Sequence, residues 1–300
     1  MTIEKKPLLR LTSDFVFKAV YGQDTPESQA ALRALLNCLL DKKDDPIEWV
    51  RCENPFILPK YIGRKESVLD IKARLSSGQL IDLEMQVTYL THFINRSIFY
   101  MGKLITSSLD KGQNYGKMKL AIVISIVDGI LFPDTPDVHS RYTLHERDRK
   151  DELSTLTQIH YLELNKIDIT KPISEMTPYE RIGAFFKYVS DSSKQDLIAE
   201  LFHYESEVMT MTTPILEEIS MDDQMRYLEE EHENYLRDLA TALYEAEEAR
   251  IEGRNQGLAE GMIRTNLLTK ELLNAGRLDD LTRALDDKDF QEQLFKEFEL

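Results

Sequence analysis

The stretch that decides the fold is ESVLDIKARLSSGQLIDLEMQV, residues 66–87. Apolar and polar residues alternate on both sides of Ser76-Ser77-Gly78, which predicts two antiparallel strands joined by a tight turn. One face of this hairpin collects apolar side chains at the odd positions, which are Leu69, Ile71, Ala73, Leu75, Ile81, Leu83, Met85 and Val87. The opposite face presents Asp70, Asp82, Glu84 and Gln86.

The register of the hairpin decides which of these polar side chains are neighbours. Opposed residues of an antiparallel pair point to the same side of the sheet. A three-residue loop with Gly78 in the left-handed conformation sets Asp70 opposite Glu84. A register shifted by two sets Asp70 opposite Gln86 instead. In both registers Asp70, Glu84 and Gln86 lie close together.

Neighbouring carboxylates repel each other unless a bound cation or a shared proton offsets their negative charge. Hard divalent ions prefer oxygen ligands, and Mg²⁺ is commonly held by one or two carboxylates. One interpretation of this face is therefore a metal site. The other is a solvated polar face, on which Lys72 and Arg74 neutralise Asp82 and Glu84.

The surrounding segments predict an α/β order. Helical patterns cover 12–22, with Thr12 or Ser13 as N-cap, and 26–41. A crossover helix is expected over 93–111, ending at Gly112. The continuous apolar run KLAIVISIVDG (119–129) predicts a strand buried on both faces, and a further strand is expected over 158–167. The fold class is therefore α/β, a mixed sheet flanked by helices and followed by an all-helical C-terminal region.

The C-terminal part of the chain differs from the N-terminal part in its predicted secondary structure, which is helical only, and in its charge. The net charge of −16 falls entirely in residues 171–300, while residues 1–170 balance 23 basic against 23 acidic side chains. We expect domains at 1–170 and 171–300. A heptad-spaced stripe predicts a long helix that packs on its own domain or on a second copy. The stripe comprises Met221, Met225, Leu228, His232, Tyr235, Leu239, Ala242, Ala246 and Ala249, and Gly253, Gly257 and Gly261 follow at intervals of four.

Several classes of protein are disfavoured by the sequence. The longest apolar stretch, 120–132, is interrupted by Asp128 and is too short to cross a bilayer, so we expect a cytoplasmic protein without membrane contact. Cys38 and Cys52 are predicted to be reduced thiols. The six histidines form no zinc motif, and neither a phosphate-binding glycine loop nor a serine-hydrolase elbow is present.

The hairpin also carries a resemblance. Asp70, followed after thirteen residues by Glu84-Met85-Gln86, is similar to the PD-(D/E)XK nuclease signature with glutamine in the lysine position. The chain more specifically resembles the bacterial recombination-promoting nuclease and transposase-like family, over roughly residues 9–170. The segments that match in order are TSDFVFKAVYG, SVLDIKARLSSGQLIDLEMQV, RSIFYMGKLITSSLDKGQNY, KLAIVISIVDGILF and IHYLELNKI.

The resemblance implies a restriction-endonuclease-like core that hydrolyses DNA with Mg²⁺ or Mn²⁺. Asp70 and Glu84 would be metal ligands, with the Met85 carbonyl as a third. Gln86 would orient the attacking water or contact the scissile phosphate.

An amide cannot stabilise developing negative charge as an ammonium does, so more of that task would fall on the metal or on another cation. Arg96 and Tyr100, four residues apart on the crossover helix, are the candidates, with His92 and Lys103 nearby. Each also has a structural interpretation, a solvent-exposed arginine and a helix-packing tyrosine.

Asp14 and Lys18 also match family positions, as substrate-binding candidates. Asp14 either reaches the metal cluster or caps its own helix. Glu53 is a weaker candidate of the same kind.

Two further functions fit the same sequence. A non-catalytic interaction or oligomerisation protein on a nuclease-like scaffold would explain the missing lysine and the acidic helical half. An RNase would use the same residues as a DNase. The expected partners are DNA and a second copy of the chain, contacted through the C-terminal helices.

Overall fold

The computed structural model describes residues 6–56, 71–86, 92–204 and 206–300. Its centre is a six-stranded mixed sheet in the order β1-β2-β3-β4-β6-β5. β3, β4 and β6 run parallel, and the remaining neighbours are antiparallel. The strands are β1 (Val50–Cys52), β2 (Ile71–Leu75), β3 (Leu80–Gln86), β4 (Ala121–Val127), β5 (His139–His145) and β6 (Glu152–Glu163). The mixed sheet with flanking helices confirms the predicted fold class.

The hairpin of β2 and β3 has the first of the two registers allowed by the sequence. Ile71 pairs with Leu83 and Lys72 with Asp82. Gly78 has a φ of 84°, the left-handed conformation that the three-residue turn requires. Asp70 lies outside the described residues, so its position opposite Glu84 stays a prediction.

Nine α-helices are present in the described part of the chain. They are α1 (Asp14–Tyr21), α2 (Pro26–Leu39), α3 (Phe93–Ser107), α4 (Pro178–Tyr188), α5 (Gln195–Leu201), α6 (Ser206–Met221), α7 (Asp223–Asn274), α8 (Leu278–Asp286) and α9 (Lys288–Glu297). Ser13 caps α1 by accepting a hydrogen bond from the Val16 amide, as the sequence predicts.

The two faces of β3 meet different helices. Its odd-numbered side chains, Ile81, Leu83 and Met85, join the main hydrophobic core with residues of α1, α2, α4 and α6. On the other face, Leu80 packs with Met101 and other residues of α3 and β4. β3 is therefore covered on both sides, and any polar side chain on its even face lies beneath α3.

The α3 crossover and the buried β4 confirm the prediction for this region, but the helix ends earlier than expected. It stops at Ser107 rather than at Gly112. Asp110 and Gln113 form a separate turn, in which the Gln113 amide side chain donates to the Asp110 carboxylate at 2.7 Å. Local side-chain hydrogen bonds of this kind compete with continuation of a helix.

The end of the sheet was only partly predicted. β6 begins at Glu152 and ends at Glu163, whereas the sequence predicted a strand over 158–167, and residues 164–166 form a 3-10 turn. β5 was missed. Its side chains are all partly or fully exposed at the edge of the sheet, so it lacks the apolar alternation by which strands are recognised.

The chain divides into two compact units, Met1–Glu233 and Asn234–Leu300. In the first, Phe186 of α4 and Leu216 of α6 belong to the same hydrophobic core as the sheet. In the second, the end of α7 packs with α8 and α9 around Leu268, Leu272 and Phe295. The domain boundary predicted after residue 170 stays a prediction. In the described residues, no helix is long and apolar enough to cross a membrane.

Candidate active site

The even face of β3 places two carboxylates in the interior. Asp82 is 2% exposed and Glu84 4% exposed. β4 runs beside β3, and Ser125, the partner of Glu84 in the ladder, donates from its Oγ to Glu84 Oε1 at 3.4 Å. Because both carboxylates are buried, the interpretation of this face as a solvated surface is wrong. Arg74 pairs with Glu53 at 2.5 Å rather than with Glu84.

Arg96 joins the two signature residues that the structure describes. Its Nη2 donates to both carboxylate oxygens of Glu84, at 3.2 and 3.1 Å. The same nitrogen donates to Gln86 Oε1. A guanidinium thus lies beside the amide that stands in the lysine position, and it neutralises a buried carboxylate. The interpretation of Arg96 as a purely solvent-exposed arginine is wrong, because its side chain is only 29% exposed.

An aromatic cluster fixes the helix turn that carries Arg96. The guanidinium lies over the Phe93 ring, 4.8 Å from its centroid. Phe93 packs edge-on against Tyr161 of β6, with ring centroids 6.2 Å apart. Burial raises the pKa of Tyr161, although a hydrogen bond with Ser97 opposes that rise. Arg96 is therefore held by packing on one face, while its Nε makes no hydrogen bond within the described residues.

The donors at this point fit a hard divalent cation in their chemistry. Glu84 supplies carboxylate oxygens, and the Gln86 amide and the Met85 carbonyl supply neutral ones. The Met85 side chain points away, into the main core. Within the described residues, no group of three His, Cys, Asp or Glu side chains is arranged to hold a metal. The second carboxylate of the predicted site is Asp70, which lies outside them.

Comparison with known protein families shows which family the chain belongs to. A family model described as PD-(D/E)XK nuclease family transposase matches residues 11–246. The chain belongs to the PD-(D/E)XK nuclease family. This membership confirms the resemblance found in the sequence and supports a nuclease-like function. Neither the curated proteins nor the solved structures gave a significant match.

In this PD-(D/E)XK family member, Asp14 contacts the long helix α7. The His232 Nε2 lies 2.6 Å from Asp14 Oδ1. Ser13 Oγ donates to Glu229 Oε2 at 2.9 Å, and Arg10 pairs with Glu233. Asp14 Oδ1 also accepts from the Phe15 amide, so the carboxylate is used within its own helix as well. Its predicted role at the metal or substrate stays a prediction.

Of the other two candidates, Lys18 is buried and Tyr100 is half-buried. Lys18 is 7% exposed, and a β-carbon placed on Gly22 would lie 3.0 Å from Lys18 Cγ and 3.5 Å from Ile71 Cγ1. Lys18 therefore lies near the first residue of β2. Tyr100 packs against the cluster of Leu80 and Met101 beneath α3. Roles for both side chains at the substrate stay predictions.

The contacts of Ser13 with Glu229 and of Asp14 with His232 predict that the stability of the protein depends on pH. Burial raises the pKa of Glu229 to about 7. Burial lowers the pKa of His232, but the hydrogen bond and charge of Asp14 outweigh it, so the net shift is upward. Both groups hold protons in the folded state at pH values where the unfolded chain releases them. The contribution of Glu229 is thus complete below its ordinary pKa of 4.5 and is lost as the pH rises through about 7. The contribution of His232 is complete below its ordinary pKa of 6.5 and is lost at higher pH, as the pH rises through its raised folded-state pKa.

We expect the free energy of unfolding to fall by roughly 2–3 kcal/mol between pH 5 and pH 8.5 through these groups. Glu229→Gln should remove most of that part of the fall, because the amide is neutral throughout. Urea denaturation of both proteins at several pH values measures this. Parallel pH profiles for the two proteins would show that Glu229 has no such role.

Several side chains around the candidate site were not identified from the sequence. Ser125 is the one polar residue in the apolar run AIVISIV of β4, a signal that could have been noticed. His232 likewise interrupts an apolar heptad stripe. Asp82 was grouped with the polar face, but nothing in the spacing indicated its burial. Tyr161 carries no local signal, because its neighbours come from α3 and β5.

Proposed function

We propose that this protein is a divalent-metal-dependent endonuclease that hydrolyses DNA phosphodiester bonds during transposition or recombination. The observation that carries the proposal is the contact of Arg96 with both Glu84 and Gln86 in a chain of this nuclease family. The signature lacks its lysine, and the guanidinium supplies a positive charge at that point.

The metal would be held by Asp70, Glu84 and the carbonyl oxygen of Met85. When bound, Mg²⁺ or Mn²⁺ lowers the pKa of a coordinated water and offsets negative charge on the phosphate. The guanidinium of Arg96 pairs with the Glu84 carboxylate, and Ser125 donates a hydrogen bond to one of its oxygens. Burial under α3 excludes bulk water, which strengthens the interaction of Glu84 with a cation.

Gln86 and Arg96 act on the substrate in this proposal. Gln86 Oε1 accepts from Arg96, and an amide nitrogen such as that of Gln86 is a donor suited to a phosphate oxygen or to the attacking water. Arg96 uses Nη2 for Glu84 and Gln86. A guanidinium at this point is suited to donate to a phosphate oxygen as negative charge develops.

Plasmid nicking tests the proposal. We expect purified protein to convert supercoiled plasmid to open circles with Mg²⁺ or Mn²⁺, and to lose this activity in EDTA. Single-stranded RNA run in parallel separates a DNase from an RNase. Absence of cleavage of either nucleic acid under all these metal conditions would favour the non-catalytic interaction protein.

We also propose that α7 contributes to self-association. The heptad-spaced stripe of this helix has a buried part and an exposed part. Met225, Leu228 and His232 are buried within the first unit, whereas Tyr235 and Leu239 are 43% and 44% exposed.

We expect Leu239→Glu to shift the protein from a dimer toward a monomer in sedimentation velocity. Asp238→Ala, at an adjacent position off the stripe, should leave the distribution unchanged. A wild-type protein that sediments as a monomer at micromolar concentration would contradict the expectation.

A further inference from the structure

The outer face of α3 exposes apolar and aromatic side chains close to the candidate site. Ile98 is 57% exposed and Phe99 59% exposed, one turn or less from Arg96. Lys103 lies over the Phe99 ring, with its Nζ 4.6 Å from the centroid. Large apolar side chains that project into water beside a polar site commonly mark a binding surface.

The connection between α3 and β4 continues this surface. Tyr115 is 82% exposed, and Lys111, Lys117 and Lys119 are exposed around it. In the described part of the chain, none of these three lysines forms an ion pair. Between residues 92 and 120 there are five basic residues and one acidic residue, Asp110, in a protein of net charge −16. This segment therefore has a net charge of +4 (5 − 1), although the chain as a whole is acidic.

The distance between this connection and the candidate site defines how long the surface is. A β-carbon on Gly78, in the hairpin turn, would lie 3.3 Å from Lys119 Cε. Glu84 and Gln86 are at the other end of β3. Six residues of strand correspond to about 20 Å. α3 begins near Glu84 and ends near this connection, so its outer face spans the distance between them.

We propose that Phe99, Lys103, Tyr115 and the three lysines of the connection bind a single-stranded segment of DNA that leads to the candidate active site. This inference rests on the proposed function, and it adds that the preferred substrate has an unpaired strand. Exposed aromatic rings interleaved with lysines are suited to bind a single strand. Its unpaired bases can stack on the rings while the lysines contact its phosphates. In duplex DNA the base faces are already stacked.

A second copy of the chain fits this surface less well. A two-fold contact through α3 and the connection would bring the lysines of the two copies together, and only Asp110 is available to offset them. The acidic half of another copy could attract the lysines and exposes apolar side chains such as Tyr235 and Leu239, but such a contact joins two different surfaces and lacks two-fold symmetry. A single strand of DNA can both stack its bases on the aromatic rings and place its phosphates beside the lysines.

Fluorescence anisotropy with the full chain in EDTA tests the inference without cleavage. The probes are a labelled oligothymidine of about 20 nucleotides and a blunt duplex of the same length. We expect the single strand to bind at least several-fold more tightly. Phe99→Ala and Tyr115→Ala should each weaken single-strand binding about tenfold or more, since each removes a stacking platform. Tyr227→Ala, at a 60% exposed tyrosine of α7, is the matched control and should bind as wild type does.

Salt dependence provides a second readout. The triple variant Lys111→Gln, Lys117→Gln, Lys119→Gln should reduce the slope of log affinity against log salt by about 2 for the single strand. Equal affinity of wild type for single strand and duplex would overturn the inference. Unchanged single-strand binding in the Phe99 and Tyr115 variants would also overturn it, as would an equal loss in Tyr227→Ala. A protein that nicks plasmid but fails these tests keeps the proposed function and loses only this surface.

Discussion

Glu84→Gln is expected to reduce metal-dependent plasmid nicking by about two to three orders of magnitude. The change keeps the shape of the side chain and its contact with Ser125, but it removes the negative charge that would hold the cation. Losses of this size are typical when one electrostatic contact to a developing charge is removed. Initial rates of open-circle formation, measured at saturating Mn²⁺, give the ratio directly.

Asp70→Ala should give a loss of similar size, because both carboxylates would serve the same ion. Glu48→Gln is the matched control, since Glu48 is an exposed acid outside the site and should nick as wild type does. Circular dichroism spectra of all variants exclude unfolding as the cause of a loss. If Glu84→Gln or Asp70→Ala retains nearly full activity, cleavage takes place elsewhere on the molecule.

Arg96→Ala is expected to be the most destabilising substitution at the site. The Glu84 side chain is only 5% exposed, and the substitution removes the guanidinium that both of its oxygens contact. Removing one partner of a buried ion pair typically costs about 3–5 kcal/mol, and partial exposure of Arg96 brings the expectation to about 2–3 kcal/mol. Thermal unfolding should therefore begin several degrees lower, by roughly 4–12 °C.

Two companion variants separate the charge from the packing of Arg96. Arg96→Lys keeps a cation but loses the planar contact with Phe93, so its loss of stability should be smaller. The double variant Glu84→Gln, Arg96→Met should be more stable than Arg96→Ala, because it removes the buried carboxylate together with the guanidinium that pairs with it. Equal stability of wild type and Arg96→Ala would mean that the contact between Arg96 and Glu84 contributes little.

The centre of the fold was predictable because local signals agree there. The alternation in the hairpin, the glycine of its turn and the apolar run of β4 each specify one element, and their order specifies the crossover helix. The need to bury one face limited the hairpin to two registers, and the structure has the one in which Ile71 pairs with Leu83. Glu84 and Gln86 were found by the same alternation.

Contacts between distant residues were not predictable in the same way. Asp14 and His232 are 218 residues apart, and no local pattern indicates that they meet. The alternation showed that Glu84 shares a face with Gln86, but burial of that face depends on how closely α3 packs over it. The edge strand β5 lacks an apolar face, so its sequence resembles a loop.

Metal binding tests the central claim most directly, since it needs neither the right DNA nor a turnover. Calorimetric titration of the wild-type protein with Mn²⁺ is compared with Glu84→Gln, and with Glu48→Gln as the control. The account predicts one saturable site in wild type and in the control, and its loss in Glu84→Gln. Identical Mn²⁺ binding by all three proteins, or none by the wild type, would contradict it.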